Sequence, residues 1–238
     1  VGNFITGFEK DDGSIQICEH GVTIMATGGQ EASPQEYAYD ESELILTQHE
    51  LENKLEEGAI APGELEAVAM IQCVGSREEP RNYCSRVCCS TSLKHALYLK
   101  EKNPDIQVYI FYRDIMSFGF LESYYRQARE AGVIFIQYEL DQKPQVSVEN
   151  GKPVIRALDP ILERELVVPV DALVLATGIV PNTADSPIPL DLGYDQYGFL
   201  NGATGVDGVF AAGCATHPCD VATTTKESTA AALKAIQC

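Results

Sequence analysis

The sequence predicts an α/β protein built on a parallel sheet with crossover helices, with an antiparallel excursion later in the chain. Two observations predict this class. Residues 67–138 alternate strand, helix, strand, helix and strand, and the residues after 145 form shorter alternating segments around a turn. The chain has 238 residues, of which 45% are hydrophobic, so it has enough apolar side chains for a packed core.

The first half contains the alternating elements. Each strand is a short apolar or β-branched segment bounded by glycine, proline or charge. A helix over Ser90–Lys102 ends at Asn103-Pro104, and a helix over Leu121–Glu130 ends before Gly132. The predicted strands are Val22–Ala26, Ala67–Gln72, Gln107–Phe111 and Val133–Tyr138.

The second half departs from this alternation. From Gln145 polar and apolar residues alternate around a turn at Glu149-Asn150-Gly151, which predicts antiparallel pairing. Apolar strands follow at Ala172–Ala176 and Gly208–Ala212, and a final helix rich in alanine and threonine covers Val221–Gln237.

The net charge and the absence of targeting signals exclude some classes of protein. Lysine and arginine number 17 against 35 aspartate and glutamate residues, for a net charge of −18. This balance argues against binding to nucleic acid or to an anionic membrane surface. We find no apolar stretch long enough for a membrane span and no signal sequence, so we expect a cytoplasmic protein. The chain opens at Val1 as though already inside a domain, and we expect it to be a piece of a longer protein.

Four of the eight cysteines are concentrated in seventeen residues. Cys73, Cys84, Cys88 and Cys89 have the spacing C-x10-C-x3-C-C. Cys73 ends a predicted strand and the adjacent pair begins the next helix, so we expect all four at the carboxyl edge of the sheet. Four thiolates at one point suit a [4Fe–4S] cluster or a zinc ion. The nearby basic residues, which offset thiolate charge, are Arg77, Arg81 and Arg86.

Other interpretations of these cysteines remain open. Zinc sites usually use paired C-x2-C to C-x4-C knuckles, and the adjacent pair Cys88-Cys89 departs from that pattern. A dithiol redox centre formed by Cys88-Cys89 or by Cys84 and Cys88 is a stronger alternative. Inert core thiols fit one or two cysteines better than four in a polar loop that carries arginines.

A repeated strand indicates a wider relationship. Val22–Gly29 and Leu173–Ile179 both run into Ala-Thr-Gly, and residues 208–213 read Gly-Val-Phe-Ala-Ala-Gly. The arrangement resembles the two-dinucleotide-domain flavoproteins related to thioredoxin reductase, and it implies a Rossmann-like sheet of the FAD/NAD(P)-binding flavoprotein type. On that mapping residues 1–65 and 183–238 form a FAD-type domain and residues 66–182 an inserted NAD-like domain. No Gly-x-Gly-x-x-Gly is present, so we expect the FAD pyrophosphate loop to lie upstream.

The segment that carries the cysteines resembles one particular family among these flavoproteins. Met70–Arg77, Tyr83–Cys89 and Tyr112–Ile115 are similar to the A subunit of heterodisulfide reductase and its bacterial relatives. This similarity implies a FAD-containing electron-transfer subunit in which a [4Fe–4S] cluster replaces NAD(P)H. It implies Cys73, Cys84, Cys88 and Cys89 as cluster ligands. The implied partners are ferredoxin and other subunits of B/C, hydrogenase or dehydrogenase type.

The resemblance also implies a flavin contact. Gly213-Cys214-Ala215 stands where the broader family has Gly-Asp, and Cys214 cannot supply the missing carboxylate. We therefore expect backbone contacts to FAD, from the residues Gly28, Gly178, Gly213, Cys214, Ala215, Val221 and Ala222. His217 lies close to this strand and is a weaker candidate. Cys18, Cys219 and Cys238 are expected to be structural or incidental thiols.

The function expected from these observations is relay of electrons between FAD and a [4Fe–4S] cluster in an oxidoreductase complex. Two alternatives remain: a pyridine nucleotide-disulfide oxidoreductase with redox-active cysteines, and a zinc-stapled interaction scaffold without catalytic activity.

Overall fold

The structure, a computed structural model, describes residues 2–202 and 204–238. Its helices are α1 (Gln48–Glu56), α2 (Cys88–Lys102), α3 (Glu122–Glu130) and α4 (Val221–Gln237). Its strands are β1 (Phe4–Glu9), β2 (Ile15–His20), β3 (Thr23–Met25), β4 (Gly29–Glu31), β5 (Ile45–Thr47), β6 (Ala67–Ile71), β7 (Gln107–Tyr112), β8 (Ile134–Gln137), β9 (Gln145–Glu149), β10 (Lys152–Asp159), β11 (Arg164–Pro169), β12 (Ala172–Leu175), β13 (Ile179–Pro181) and β14 (Val209–Ala211).

The chain divides into two compact units. One comprises Val1–Gln30 with Ile179–Cys238, and the other comprises Glu31–Gly178. None of the helices in the described residues is both long and apolar enough to cross a lipid bilayer.

The second unit is built on a five-stranded parallel sheet with the order β5-β12-β6-β7-β8. Its central strands are buried on both faces, as parallel sheets require. Val68 and Met70 pack with residues of α1, α2 and α3. Ala69 and Ile71 face the other way, toward the antiparallel sheet β11-β10-β9. The unit therefore has three layers, with its parallel sheet in the middle.

The first unit contains two-stranded sheets. β1 and β2 form an antiparallel hairpin, and β14 pairs with β3 in parallel. β14 leads into a 3-10 turn at Gly213–Ala215, and α4 follows, with the Asp220 side chain accepting a hydrogen bond from Thr223 N. A small apolar cluster that includes Leu200 and Val209 lies in this unit.

The predicted α/β class is confirmed. The alternation over residues 67–138, the antiparallel excursion and the bounds of α4 agree with the sequence-based expectations. β5 and the β1–β2 hairpin were not predicted. The hairpin turn places Gly13 at φ +77°, and Gly13 N donates to Lys10 O at 2.8 Å.

The division between units differs from the predicted boundaries at residues 65 and 182. Residues 31–65 belong to the second unit because β5 pairs in parallel with β12 and Leu51 of α1 lies in the core beside the sheet. Ile179–Pro181 belong to the first unit. The two Ala-Thr-Gly segments, which end at Gly28 and Gly178, therefore lie close to the boundaries of these compact units.

The start of α1 is stabilised by a capping box, which yields a first prediction. Thr47 Oγ1 accepts a hydrogen bond from Glu50 N, and Glu50 Oε2 accepts one from Thr47 N. Thr47→Ala removes one of these bonds and should lower the free energy of unfolding by about 1 kcal/mol. Urea denaturation measures this change. Thr47→Ser keeps the hydroxyl, so a loss as large as that of the alanine variant would contradict the capping explanation.

Buried His95 yields a pH-dependent prediction. Burial lowers the pKa of His95 to about 4, and the Lys94 charge adds to this shift. The unfolded chain takes up the proton near pH 6.5, whereas the folded chain resists it. The free energy of unfolding should therefore fall as the pH drops from about 6.5 to about 4, by roughly 1 kcal/mol per pH unit from this residue. Denaturation of His95→Gln between pH 5 and 6.5 should show a shallower slope, and an equal slope would refute the assignment.

Candidate metal centre

The four clustered cysteines meet at the carboxyl edge of the parallel sheet. Cys73 follows β6, Cys84 lies in the loop to α2, and Cys88 and Cys89 are the first residues of α2. Together they line a single small cavity of about 10 Å³, and the other residues around it are Ser76, Arg77, Ser85, Arg86 and Met116. The expected convergence of these cysteines is therefore observed.

The loop between β6 and α2 is anchored on both sides. Val74 N donates to Ala176 O at 3.0 Å, next to β12. Ser76 Oγ donates to Tyr83 O at 3.0 Å, which closes the loop on itself. Cys73, Arg77 and Arg86 adopt left-handed backbone conformations, with φ values of +58°, +61° and +65°. Such conformations cost about 1–3 kcal/mol each in non-glycine residues and persist only where surrounding contacts enforce them.

Arginine side chains provide positive charge and loop contacts. Arg77 Nη1 lies 3.8 Å from Cys73 Sγ, and its Nη2 donates to Asp114 Oδ2 at 2.6 Å. Arg113 donates to the backbone oxygens of Ser76 and Arg77. Arg81 Nη1 donates to Thr177 O at 3.2 Å. Arg77 is therefore the basic side chain placed to offset negative charge on a sulfur ligand.

The N-terminus of α2 is a second feature that favours negative charge at the cysteines. Val87 at the N-cap makes no side-chain hydrogen bond to the first turn, so the helix begins at the cysteines without a capping anion. Arg86 N donates to Cys84 Sγ at 3.3 Å. Free N–H groups and the helix macrodipole favour negative charge at this end. A cluster held by thiolates carries such charge.

The thiols of Cys88 and Cys89 are shielded from water. Burial raises the pKa of Cys88 well above its usual value, and negative charge on neighbouring cysteines raises it further. Burial also raises the pKa of Cys89, to about 11. Such thiols keep their protons at neutral pH until a metal displaces them.

The spacing of the four sulfurs can be compared with the spacing that a single zinc ion requires. Zinc with Zn–S bonds of about 2.3 Å sets its sulfurs only about 3.8 Å apart. No three of these four cysteine sulfurs lie mutually within 4.8 Å. These thiols are therefore not preset for a zinc ion, whereas four cysteine thiolates are the usual ligands of a [4Fe–4S] cluster, so the donor set fits that group.

Curated proteins with related sequences were compared with this chain. The A subunit of ferredoxin:CoB-CoM heterodisulfide reductase from Methanosarcina acetivorans is 31% identical over 90% of this chain and 33% of that protein. The A subunit of H(2):CoB-CoM heterodisulfide,ferredoxin reductase from Methanothermobacter thermautotrophicus is 32% identical over 95% of this chain and 38% of that protein. The chain is homologous to a segment of the heterodisulfide reductase A subunits. It spans about a third of the length of these relatives, and no family model matches it.

Solved structures agree on the fold. Thioredoxin reductase from T. acidophilum matches 98% of this chain and 73% of its own length, with a TM-score of 0.60 and 16% identity. The flavoprotein disulfide reductase RclA from Escherichia coli, solved as a Cu(II) complex, matches 94% of this chain and 46% of its own length, with a TM-score of 0.62 and 13% identity. The chain therefore has the fold of FAD/NAD(P)-binding disulfide reductases.

Most of the expected flavin contacts lie in the first unit. Gly28 is half-buried with φ +71°, and Gly213 forms a turn with φ +67°. Val221 is 84% exposed at the start of α4, next to the exposed Ala222. Ala215 is fully buried, and Cys214 Sγ turns toward Cys219, 3.7 Å away. The start of α4 at Val221 is therefore accessible to a flavin, whereas Ala215 is a packing residue.

Gly178 has a different neighbourhood from the other expected flavin residues. It ends the second unit with φ +85°, and an added Cβ would overlap the Ser85 hydroxyl and lie 3.4 Å from Ser76 Oγ. The structure therefore places Gly178 beneath the loop that carries the cysteines.

Some residues around the site were not apparent from the sequence. Met116 lines the cavity, and Gln48 of α1 donates to Cys88 O at 3.0 Å. Asp114 forms an ion pair with Arg77. Arg77 and Asp114 lie 37 positions apart, so only the fold shows that they meet.

Gly178 gives a prediction that separates backbone strain from steric overlap. Gly178→Ala must accept both a positive φ and contact with Ser85, whereas Gly151→Ala accepts only a positive φ, since nothing lies within 4 Å of its Cβ position. We expect Gly151→Ala to cost about 1 kcal/mol of unfolding free energy and Gly178→Ala to cost more. Only Gly178→Ala should also reduce iron incorporation. Equal losses of stability with equal iron content would contradict this packing role.

Proposed function

We propose that this chain binds a [4Fe–4S] cluster through Cys73, Cys84, Cys88 and Cys89 and relays electrons between that cluster and FAD. The observation that carries the proposal is the convergence of four cysteines around one cavity where β6 ends and α2 begins. Homology to subunits of heterodisulfide reductases supports the same conclusion.

Each part of the loop has a defined task in this proposal. The cysteines hold the cluster, which supplies one-electron redox chemistry when bound. Arg77 and the free N–H groups of α2 stabilise negative charge at the sulfurs and thereby raise the reduction potential. Asp114 fixes the guanidinium of Arg77 in place. The chain therefore contributes position and electrostatics rather than acid–base groups.

The proposed flavin site lies in the first unit and is incomplete in this chain. The exposed start of α4 and the half-buried turn at Gly28 are suited to contact a flavin. No two glycines of the sequence are separated by a single residue, so the pyrophosphate loop of a dinucleotide site is missing. We therefore propose FAD as a cofactor of the longer protein and expect this chain alone to bind it weakly.

The proposed setting is a multi-subunit electron-transfer complex. The names of the relatives include ferredoxin, hydrogen and the CoB-CoM heterodisulfide as reaction partners of their complexes. By analogy, we propose ferredoxin and the other subunits of such a complex as partners of this protein. The flavin would convert between two-electron and one-electron transfer.

Anaerobic purification of matched variants tests the cluster. The unaltered chain should contain about four irons and matching acid-labile sulfide, with a visible absorption band that dithionite bleaches. Cys88→Ala removes one ligand and should abolish the band and most of the iron. Cys238→Ala alters an exposed cysteine and should leave both unchanged.

Two other results would overturn the proposal. Zinc in place of iron, lost in Cys88→Ala, would assign these cysteines to a zinc staple. Absence of both metals, with a disulfide that forms reversibly between Cys88 and Cys84 or Cys89, would assign them to a dithiol reductase.

A further inference from the structure

A second group of side chains that could bind a metal lies in the first unit. It is distant in sequence from Cys73, Cys84, Cys88 and Cys89, which belong to the second unit. His217, Cys219 and Glu227 each place one ligand atom so that all three atoms lie within 4.8 Å of one another. In the part of the chain that the structure describes, they are the only set of three or more histidine, cysteine, aspartate or glutamate residues with this property.

A fourth donor lies beside this group. Cys214 Sγ is 3.7 Å from Cys219 Sγ, and neither thiol forms a disulfide. Cys214 Sγ does not lie within 4.8 Å of all three ligand atoms, so its side chain must turn to complete the set. Cys214 belongs to the 3-10 turn after β14, and Cys219 precedes the N-cap of α4. The turn and the helix thus bring together two sulfurs, one imidazole and one carboxylate.

Local structure accounts for this convergence. Gly213 turns the chain with φ +67°, and a Cβ there would lie 3.1 Å from Thr224 Cγ2, so the turn packs closely on α4. Thr224 and Glu227 are three residues apart and share one face of α4. Thr224 Oγ1 lies 3.1 Å from Cys219 Sγ, which positions that sulfur over the same face.

The remaining polar atoms of the ligands are oriented by neighbours. His217 Nδ1 lies 3.0 Å from Thr216 Oγ1. Gly213 N donates to Glu227 Oε2 at 2.9 Å. These contacts leave His217 Nε2 and Glu227 Oε1 facing each other at 3.2 Å. Metal-binding histidines and carboxylates are characteristically oriented by hydrogen bonds of this kind through the atom that does not bind the metal.

The donor set, and the two separations within it that the hydrogen-bond geometry gives, agree with a tetrahedral zinc ion. Zinc binds cysteine, histidine and carboxylate ligands at about 2.0–2.3 Å, which sets ligand atoms about 3.3–3.8 Å apart. The separation of 3.7 Å between the sulfurs and of 3.2 Å between Nε2 and Oε1 agrees with this spacing. Two thiolates with one imidazole favour zinc over magnesium or calcium, which prefer oxygen ligands.

We propose that His217, Cys219 and Glu227, with Cys214 as the fourth ligand, form a structural zinc site that fastens the turn after β14 to α4. Zinc binding would release the two thiol protons and leave the site with four protein ligands. The proposal does not depend on the proposed electron relay, because no ligand is shared with the cluster cysteines.

Access to the site comes from the histidine side. The His217 side chain is 42% exposed and, with Glu227, borders a cavity of about 290 Å³. Cys219, by contrast, is only 4% exposed. A metal ion can therefore enter from the cavity, whereas a bulky disulfide substrate has poor access to Cys219. This asymmetry favours a metal site over a dithiol that exchanges with a partner.

Metal analysis of the full chain tests the proposal. After anaerobic incubation with zinc and removal of loosely bound ions, the unaltered chain should retain about one zinc, and Cys219→Ala and His217→Ala should each weaken zinc binding at least about tenfold. Cys18→Ala and His49→Ala are matched controls at exposed positions and should keep the zinc. Cobalt in place of zinc should give sulfur-to-metal charge-transfer absorption that is lost in Cys214→Ser.

Comparison with Cys88→Ala separates this site from the cluster. Zinc should persist in Cys88→Ala while iron is lost, and iron should persist in His217→Ala while zinc is lost. His217 is partly exposed, so its substitution tests the site even if Cys219→Ala fails to fold. The proposal is overturned if the unaltered chain retains no zinc, if zinc follows Cys88 instead, or if a reversible Cys214–Cys219 disulfide forms equally well in the presence of zinc.

Discussion

Parallel pairing of β6 with β12 is the constraint on which the cysteine site depends. It brings the end of β6 and the Ala-Thr-Gly segment after β12 to the same edge, where Val74 N bonds to Ala176 O. Cys73 is fixed there in a left-handed conformation, and the chain must return to α2 from that point. The other three cysteines lie on this return path, so the sheet register determines where the sulfurs meet.

Sequence patterns predicted the parts of this arrangement that depend on local periodicity. The strands and helices between residues 67 and 138 have clear apolar segments and end signals, and the rule that parallel strands end at one edge then placed Cys73 near Cys88. β5 is only three residues long, too short for a periodic pattern. The Asp12-Gly13 pair between β1 and β2 is a typical hairpin turn sequence.

Contacts between distant residues were beyond the reach of sequence patterns. The bond from Gln48 to Cys88 O and the pair of Arg77 with Asp114 each require the folded sheet. The same holds for Glu227, which lies eight positions after Cys219 and reaches His217 only because the chain turns into α4 at Asp220. Side chains that meet across a turn leave no fixed spacing in the sequence.

Arg77 links the sulfurs to the segment after β7. Its guanidinium contacts Cys73 Sγ with one nitrogen and Asp114 with the other. Any change of charge at the Cys73 sulfur therefore acts on a guanidinium that Asp114 also holds. Phe118 and Phe120, four and six residues beyond Asp114, are 59% and 97% exposed. One short segment thus carries both the carboxylate that orients Arg77 and two aromatic rings open to solvent.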